Sequence, residues 1–104
     1  MAGKQILRTD TNGASGVWKE ETFVQHGEVL NLQVTLEGTG AITGTATFEQ
    51  SIDGIGRAPL VVKSISGNGP VVTAMLTVET KATHIYCTAS GLSASTTLTA
   101  SVAY

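Results

Sequence analysis

The sequence predicts an all-β protein, a single antiparallel β-sandwich or jelly roll of about seven or eight short strands. Three observations carry this. Apolar and polar residues alternate at period two along one segment after another, clusters of Gly, Asn, Asp, Ser and Pro separate those segments, and no segment shows capped helical periodicity. At 104 residues, the whole of 1–104 fits one domain with one core, with residues 1–16 as an extended N-terminal segment.

The clearest strand places Leu30, Leu32, Val34 and Leu36 on one face against Asn31, Gln33, Thr35 and Glu37 on the other. After Gly38-Thr39-Gly40 the scheme repeats, with Ile42, Gly44, Ala46 and Phe48 opposed to Thr43, Thr45, Thr47 and Glu49, so the two segments read as a hairpin. Leu60 to Ile65 reads as a strand that opens apolar, and Pro59 before it suits a first position or an edge. Val72, Ala74, Leu76 and Val78 alternate with Thr73, Met75, Thr77 and Glu79. Ile85, Cys87 and Ala89 alternate with His84, Tyr86 and Thr88, and the terminal run groups Leu98, Ala100, Val102 and Tyr104. Leu32, Val34, Phe48, Leu76, Ile85 and Leu98 are therefore expected to share one core. The N-terminal third is less regular: Ile6-Leu7-Arg8 reads as a short strand, and Val17 to Gln25 as a longer one carrying Trp18 and Phe23. Asp10-Thr11-Asn12-Gly13, Gln25-His26-Gly27, Ser51-Ile52-Asp53-Gly54, Ser66-Gly67-Asn68-Gly69-Pro70 and Ser90-Gly91 read as turns.

Composition excludes several functions. Charged residues make up 13% of the chain and the net charge is −2, without the basic excess that phosphate backbones demand, so nucleic acid is not an expected partner. No apolar run approaches the ~20 residues of a membrane-spanning helix, and Met1-Ala2-Gly3-Lys4-Gln5 lacks the apolar core of a signal peptide. With Cys87 as the one cysteine, neither an internal disulfide nor a multi-thiolate zinc site can be built. Its parity makes it a small core hydrophobe.

The residues that carry chemistry elsewhere read here as structure. His26 falls in a Gly-flanked turn and His84 opens a strand, neither beside a nucleophile in a triad-like arrangement, so no catalytic residue is assigned and an enzyme is not expected. Gly38-Thr39-Gly40 and Gly67-Asn68-Gly69-Pro70 lack the lysine and following helix of a phosphate-binding loop. Asp53 has no acidic neighbours to complete a calcium site, whereas Asp53-Gly54 is an ordinary tight-turn pair, so neither a metal nor a cofactor is expected. Trp18, the sole tryptophan, would stack on a sugar or anchor a partner if exposed, and would pack in core or rim if not.

Phe48-Glu49-Gln50-Ser51-Ile52-Asp53-Gly54, followed by Leu60-Val61-Val62, Tyr86-Cys87-Thr88-Ala89 and a Thr-rich last strand, resembles the small β-sandwich structural proteins of tailed bacteriophages. The resemblance covers the C-terminal half. It departs after the Asp-Gly turn, where Ile55-Gly56-Arg57-Ala58-Pro59 stands in place of an early aromatic. It implies a virion component assembled in the host cytoplasm: a capsid decoration or cement protein on the capsid surface, bound to the major capsid protein and homo-oligomeric. The alternative is a carbohydrate- or receptor-binding module of a tail or fibre. On that reading the N-terminal segment is either an arm that orders on the shell or a long loop, and Arg8, Asp10, Asn12 and Trp18 are the partner-binding candidates. Sparse, balanced charge predicts an attachment led by apolar contact, hydroxyl hydrogen bonds and strand addition rather than by ion pairs.

Overall fold

The structure, a computed structural model, describes residues 4–11, 18–20, 23–24 and 29–103. All regular elements among them are strands: β1 (Lys4–Thr11), β2 (Trp18–Glu20), β3 (Phe23–Val24), β4 (Val29–Glu37), β5 (Ala41–Ser51), β6 (Ala58–Asn68), β7 (Val71–Glu79), β8 (His84–Ser90) and β9 (Thr97–Ala103). They form two wholly antiparallel sheets, β2-β1-β9-β4-β7 and β3-β8-β5-β6.

The order identifies which kind of sandwich this is. The strands pair from the outside of the sequence inward, β1 with β9, β3 with β8, β4 with β7 and β5 with β6, as in one long folded ribbon. Pairing β4 with β9 and β5 with β8 then wraps the ribbon into two sheets. That is the jelly-roll arrangement, with β2 added outside β1.

Three expectations are corrected. Among the described residues the strands number nine rather than seven or eight, and six of them, β4 to β9, make the continuous body at three per sheet. The extra strand arises because the segment from Val17 to Gln25 is not one strand: β2 joins the first sheet and β3 the second, so the chain changes sheets between them. The third concerns β4 and β5, which are not a hairpin. They lie in opposite sheets, with their apolar faces meeting across the core instead of side by side. The link 38–40 bonds to the next crossover rather than to itself: Gly38 N–H donates to the Pro70 carbonyl at 3.0 Å and Gly69 N–H to that of Gly40 at 2.7 Å. The hairpin with a hydrogen-bonded neighbour in this body is β5–β6.

The core follows the alternation. Leu30, Leu32, Val34 and Leu36 of β4 and Leu98, Ala100 and Val102 of β9 face Ile42, Ala46 and Phe48 of β5 and Ile85 and Cys87 of β8, all buried. Burying each large aliphatic or aromatic side chain contributes about 1.5–3 kcal/mol. Of the six expected core residues, Leu76 alone is half-buried, because β7 lies at the margin of its sheet. Gly44 sits where Leu36, Leu92 and Leu98 converge, and a Cβ there would stand 2.8 Å from a Leu92 methyl and 2.9 Å from a Leu36 methyl, so those side-chain ends would have to shift.

The segment expected as an arm or loop contains β1, which is longer than Ile6-Leu7-Arg8 and runs through Asp10 and Thr11, hydrogen-bonded to β9. Thr11 and Thr97 also join their hydroxyls at 2.9 Å.

Candidate binding loop

The best-built surface feature is the β5–β6 connection, residues 52–57, at the end of the sandwich where β8 begins. Its shape comes from two short polar side chains. Asp53 Oδ1 accepts the N–H groups of Ile55 at 2.7 Å and Gly56 at 2.9 Å and the Ser51 hydroxyl at 3.1 Å, while Ser51 Oγ accepts Gly54 N–H at 2.9 Å. Gly54 takes φ +78°, which side chains with a Cβ disfavour. The turn expected at Ser51-Ile52-Asp53-Gly54 is thus present, and the Asp53 Oδ1 contacts are those of an Asx turn. Among the described residues no group of three His, Cys, Asp or Glu side chains lies close enough to share a metal ion.

These same donors, the Ile55 and Gly56 amides first and then Ser51, hold the Asp53 carboxyl below its ordinary pKa. A carboxyl with a lowered folded pKa stabilises the fold above its unfolded value and loses that contribution as pH falls through the lowered one. The amide proton shifts of Ile55 and Gly56 should therefore keep their hydrogen-bonded positions through the normal carboxylate range and move together only in stronger acid. In Asp53→Ala they should be displaced at neutral pH. Shifts indifferent to both acid and substitution would show that Asp53 does not hold the loop.

The loop is anchored by Thr83, which immediately precedes β8, and by Tyr86 on β8. Thr83 N–H donates to the Ser51 carbonyl at 3.1 Å and its hydroxyl to the Ile52 carbonyl at 2.8 Å. The Thr83 hydroxyl oxygen also lies 2.8 Å from His84 Nδ1, within hydrogen-bond distance. Tyr86 donates to the Gly54 carbonyl at 3.3 Å. Its ring stacks on His84 at 6.5 Å and 11°, and the Arg57 guanidinium lies 3.5 Å from its centroid, within reach of Glu49 at 3.8 Å. Alternation places Tyr86 on the polar face of β8, yet it is buried at 5% exposure because the loop and Arg57 cover it.

What this scaffold displays is apolar. Ile52 is 76% exposed and Ile55 87%, on a loop whose backbone is tied at both ends, and Ile52 lines a hollow of about 510 Å³ together with Arg57 and Lys81. A pre-ordered loop loses little conformational entropy on docking, so such an element binds more tightly than the same side chains on a floppy one. Both isoleucines stand in the sequence, but nothing in their spacing distinguishes them from core residues.

The residues singled out from the sequence lie elsewhere. Arg8 stands opposite Ala100 and Glu20 in the ladder, and Asp10 opposite Leu98 and Trp18, so the register brings Asp10 and Trp18 together on neighbouring strands. Asn12 and His26 lie outside the described residues. Cys87 is buried as its parity predicts.

No protein-family model and no curated protein matches the chain. Among solved structures it is similar to a chain from "Bacillus endospore appendages form a novel family of disulfide-linked pili", at 12% identity, covering 100% of this chain and 88% of that one, with a TM-score of 0.38. That degree of likeness carries neither fold nor function across.

Proposed function

We propose that this chain is a non-enzymatic structural subunit that docks on a larger protein assembly. In the form that the sequence resemblance favours, it is a decoration protein seated on the surface of a virion, bound to the major capsid protein and acting in several copies. One observation supports the docking reading most: two highly exposed isoleucines, Ile52 and Ile55, held out on a loop fixed by Asp53, Ser51 and Thr83. Scattered exposed apolar residues are common, but a pair on a locked protrusion makes a small contact element suited to repeated, identical use.

The test is retention on purified particles. Ile52→Asp with Ile55→Asp should leave the fold intact, since both side chains are solvent-facing, and should reduce occupancy of the shell. Raising salt should leave wild-type retention unchanged or stronger, because screening shortens to about 3 Å at 1 M while apolar burial is not weakened. Release by moderate salt, or full occupancy by the double variant, would remove the loop from the interface. Quantifying the chain against the capsid protein tests the shell itself: comparable copy numbers are expected, and absence from particles would end the virion reading.

A further inference from the structure

The two sheet margins on the β6–β7 side of the sandwich differ in how they are protected. An edge strand offers a row of unpaired N–H and C=O groups, and proteins blunt such edges with Pro, Lys, charges aimed inward, or bulges. β6 has these devices: Pro59 near its start, a register shift opposite Phe48/Glu49, and Lys63 at a core-facing position opposite Ala46. β7 has none of them. Among the described residues it pairs with β4 alone, in unbroken register from Val29↔Glu79 to Glu37↔Val71. It contains no Pro, Lys or Arg, and its single charge, Glu79, is its last residue. Val71 and Met75 on its outer face are 54% and 70% exposed.

The sequence of this bare edge is also close to a palindrome. From Val72 to Val78 it reads Val-Thr-Ala-Met-Leu-Thr-Val, the same in both directions save for Ala74 and Leu76. Two antiparallel copies centred on Met75 would set Val72 against Val78, Thr73 against Thr77, Ala74 against Leu76, and Met75 against itself. Residues directly opposite in an antiparallel ladder share a face. The half-buried residues Val72, Ala74, Leu76 and Val78 would therefore meet on the core side, small Ala74 against large Leu76, and the hydroxyls and methionines on the outer side.

We propose that two copies of this chain pair β7 to β7 about a two-fold axis at Met75, joining their five-stranded sheets into one continuous sheet. This names the self-contact within the assembling-subunit reading and rests on it, but the two can fail separately.

The test combines sedimentation across a concentration series with site-directed cross-linking of the full chain. Wild type should show a monomer–dimer equilibrium. Met75→Lys, at a 70% exposed position that the fold tolerates, places like charges opposite each other and should weaken the dimer about tenfold or more, with the circular dichroism spectrum unchanged. Under mild oxidation Met75→Cys should give a covalent dimer, and a mixture of Thr73→Cys and Thr77→Cys should cross-link. Thr73→Cys alone should not, because in this register its twin lies about 14 Å along the strand, beyond the ~7 Å that a disulfide spans. Buried Cys87 does not compete. A chain that stays monomeric at every concentration, a dimer indifferent to Met75→Lys, or cross-linking in any other pattern overturns the β7 pairing. Shell occupancy, measured on particles, is unaffected by that result and decides the docking reading by itself.

Discussion

Phe48→Ala is expected to destabilise the fold by about 3–5 kcal/mol, read as a shift in the denaturant midpoint at unchanged slope. Phe48 has no exposed surface and heads the largest fully buried side chains. It sits mid-sheet, opposite Val61 on β6 and Cys87 on β8, so neighbours on both sides are held by their own ladders and cannot collapse into the space. The cost therefore includes both the lost transfer energy and an unfilled cavity. Met75→Ala, on the outer face, supplies the control and should change stability by less than about 0.5 kcal/mol in dilute monomer. A Phe48→Ala cost below about 1 kcal/mol would mean that β5 presents its other face to the core.

Gly69→Ala should be comparably severe for a different reason. A Cβ at this position would overlap the backbone carbonyl oxygen of Gly38, which has no rotamer by which to move aside. Relief requires the crossovers 38–40 and 69–70 to separate, which breaks the Gly38–Pro70 and Gly69–Gly40 hydrogen bonds. Overpacking costs about 1–3 kcal/mol and each of the two lost bonds about 0.5–1.5 kcal/mol, so a total of about 2–6 kcal/mol is expected. Gly56→Ala calibrates the effect: a Cβ there meets nothing within 4 Å, and the substitution should be close to neutral. Equal stabilities for the two variants would show that the crossovers are not in contact in solution.

Much of the core was legible from the chain because alternation is a local property. The parity of Leu30 to Leu36, Ile42 to Phe48, Ile85 to Cys87 and Leu98 to Val102 assigns each residue a face before any partner strand is known, and those faces are buried. The Asp53-Gly54 turn is local in the same sense, since Ser51, Asp53 and Gly54 lie within reach of one another whatever surrounds them. The binding loop was only half legible: its turn could be read from Ser-x-Asp-Gly, whereas its anchors Thr83 and Tyr86 come from some thirty residues away.

Tertiary structure alone decided what joins what. A strand with one apolar face can pair with its neighbour in sequence or pass over the core to the opposite sheet, and the alternation is identical in both cases. That is why β4 and β5 read as a hairpin yet form an arch, the choice resting on the contact between 38–40 and 69–70 and on the pairing of β4 with β7 and β9. Tyr86 illustrates the same limit in one side chain. Its parity is polar, but a loop shaped by local hydrogen bonds and anchored by distant ones covers it and displays Ile52 and Ile55 in its place. Period and turn chemistry act between near neighbours and determine faces. Sheet partners and exposure are set by competition among long-range pairings, whose outcome is a property of the whole packed molecule.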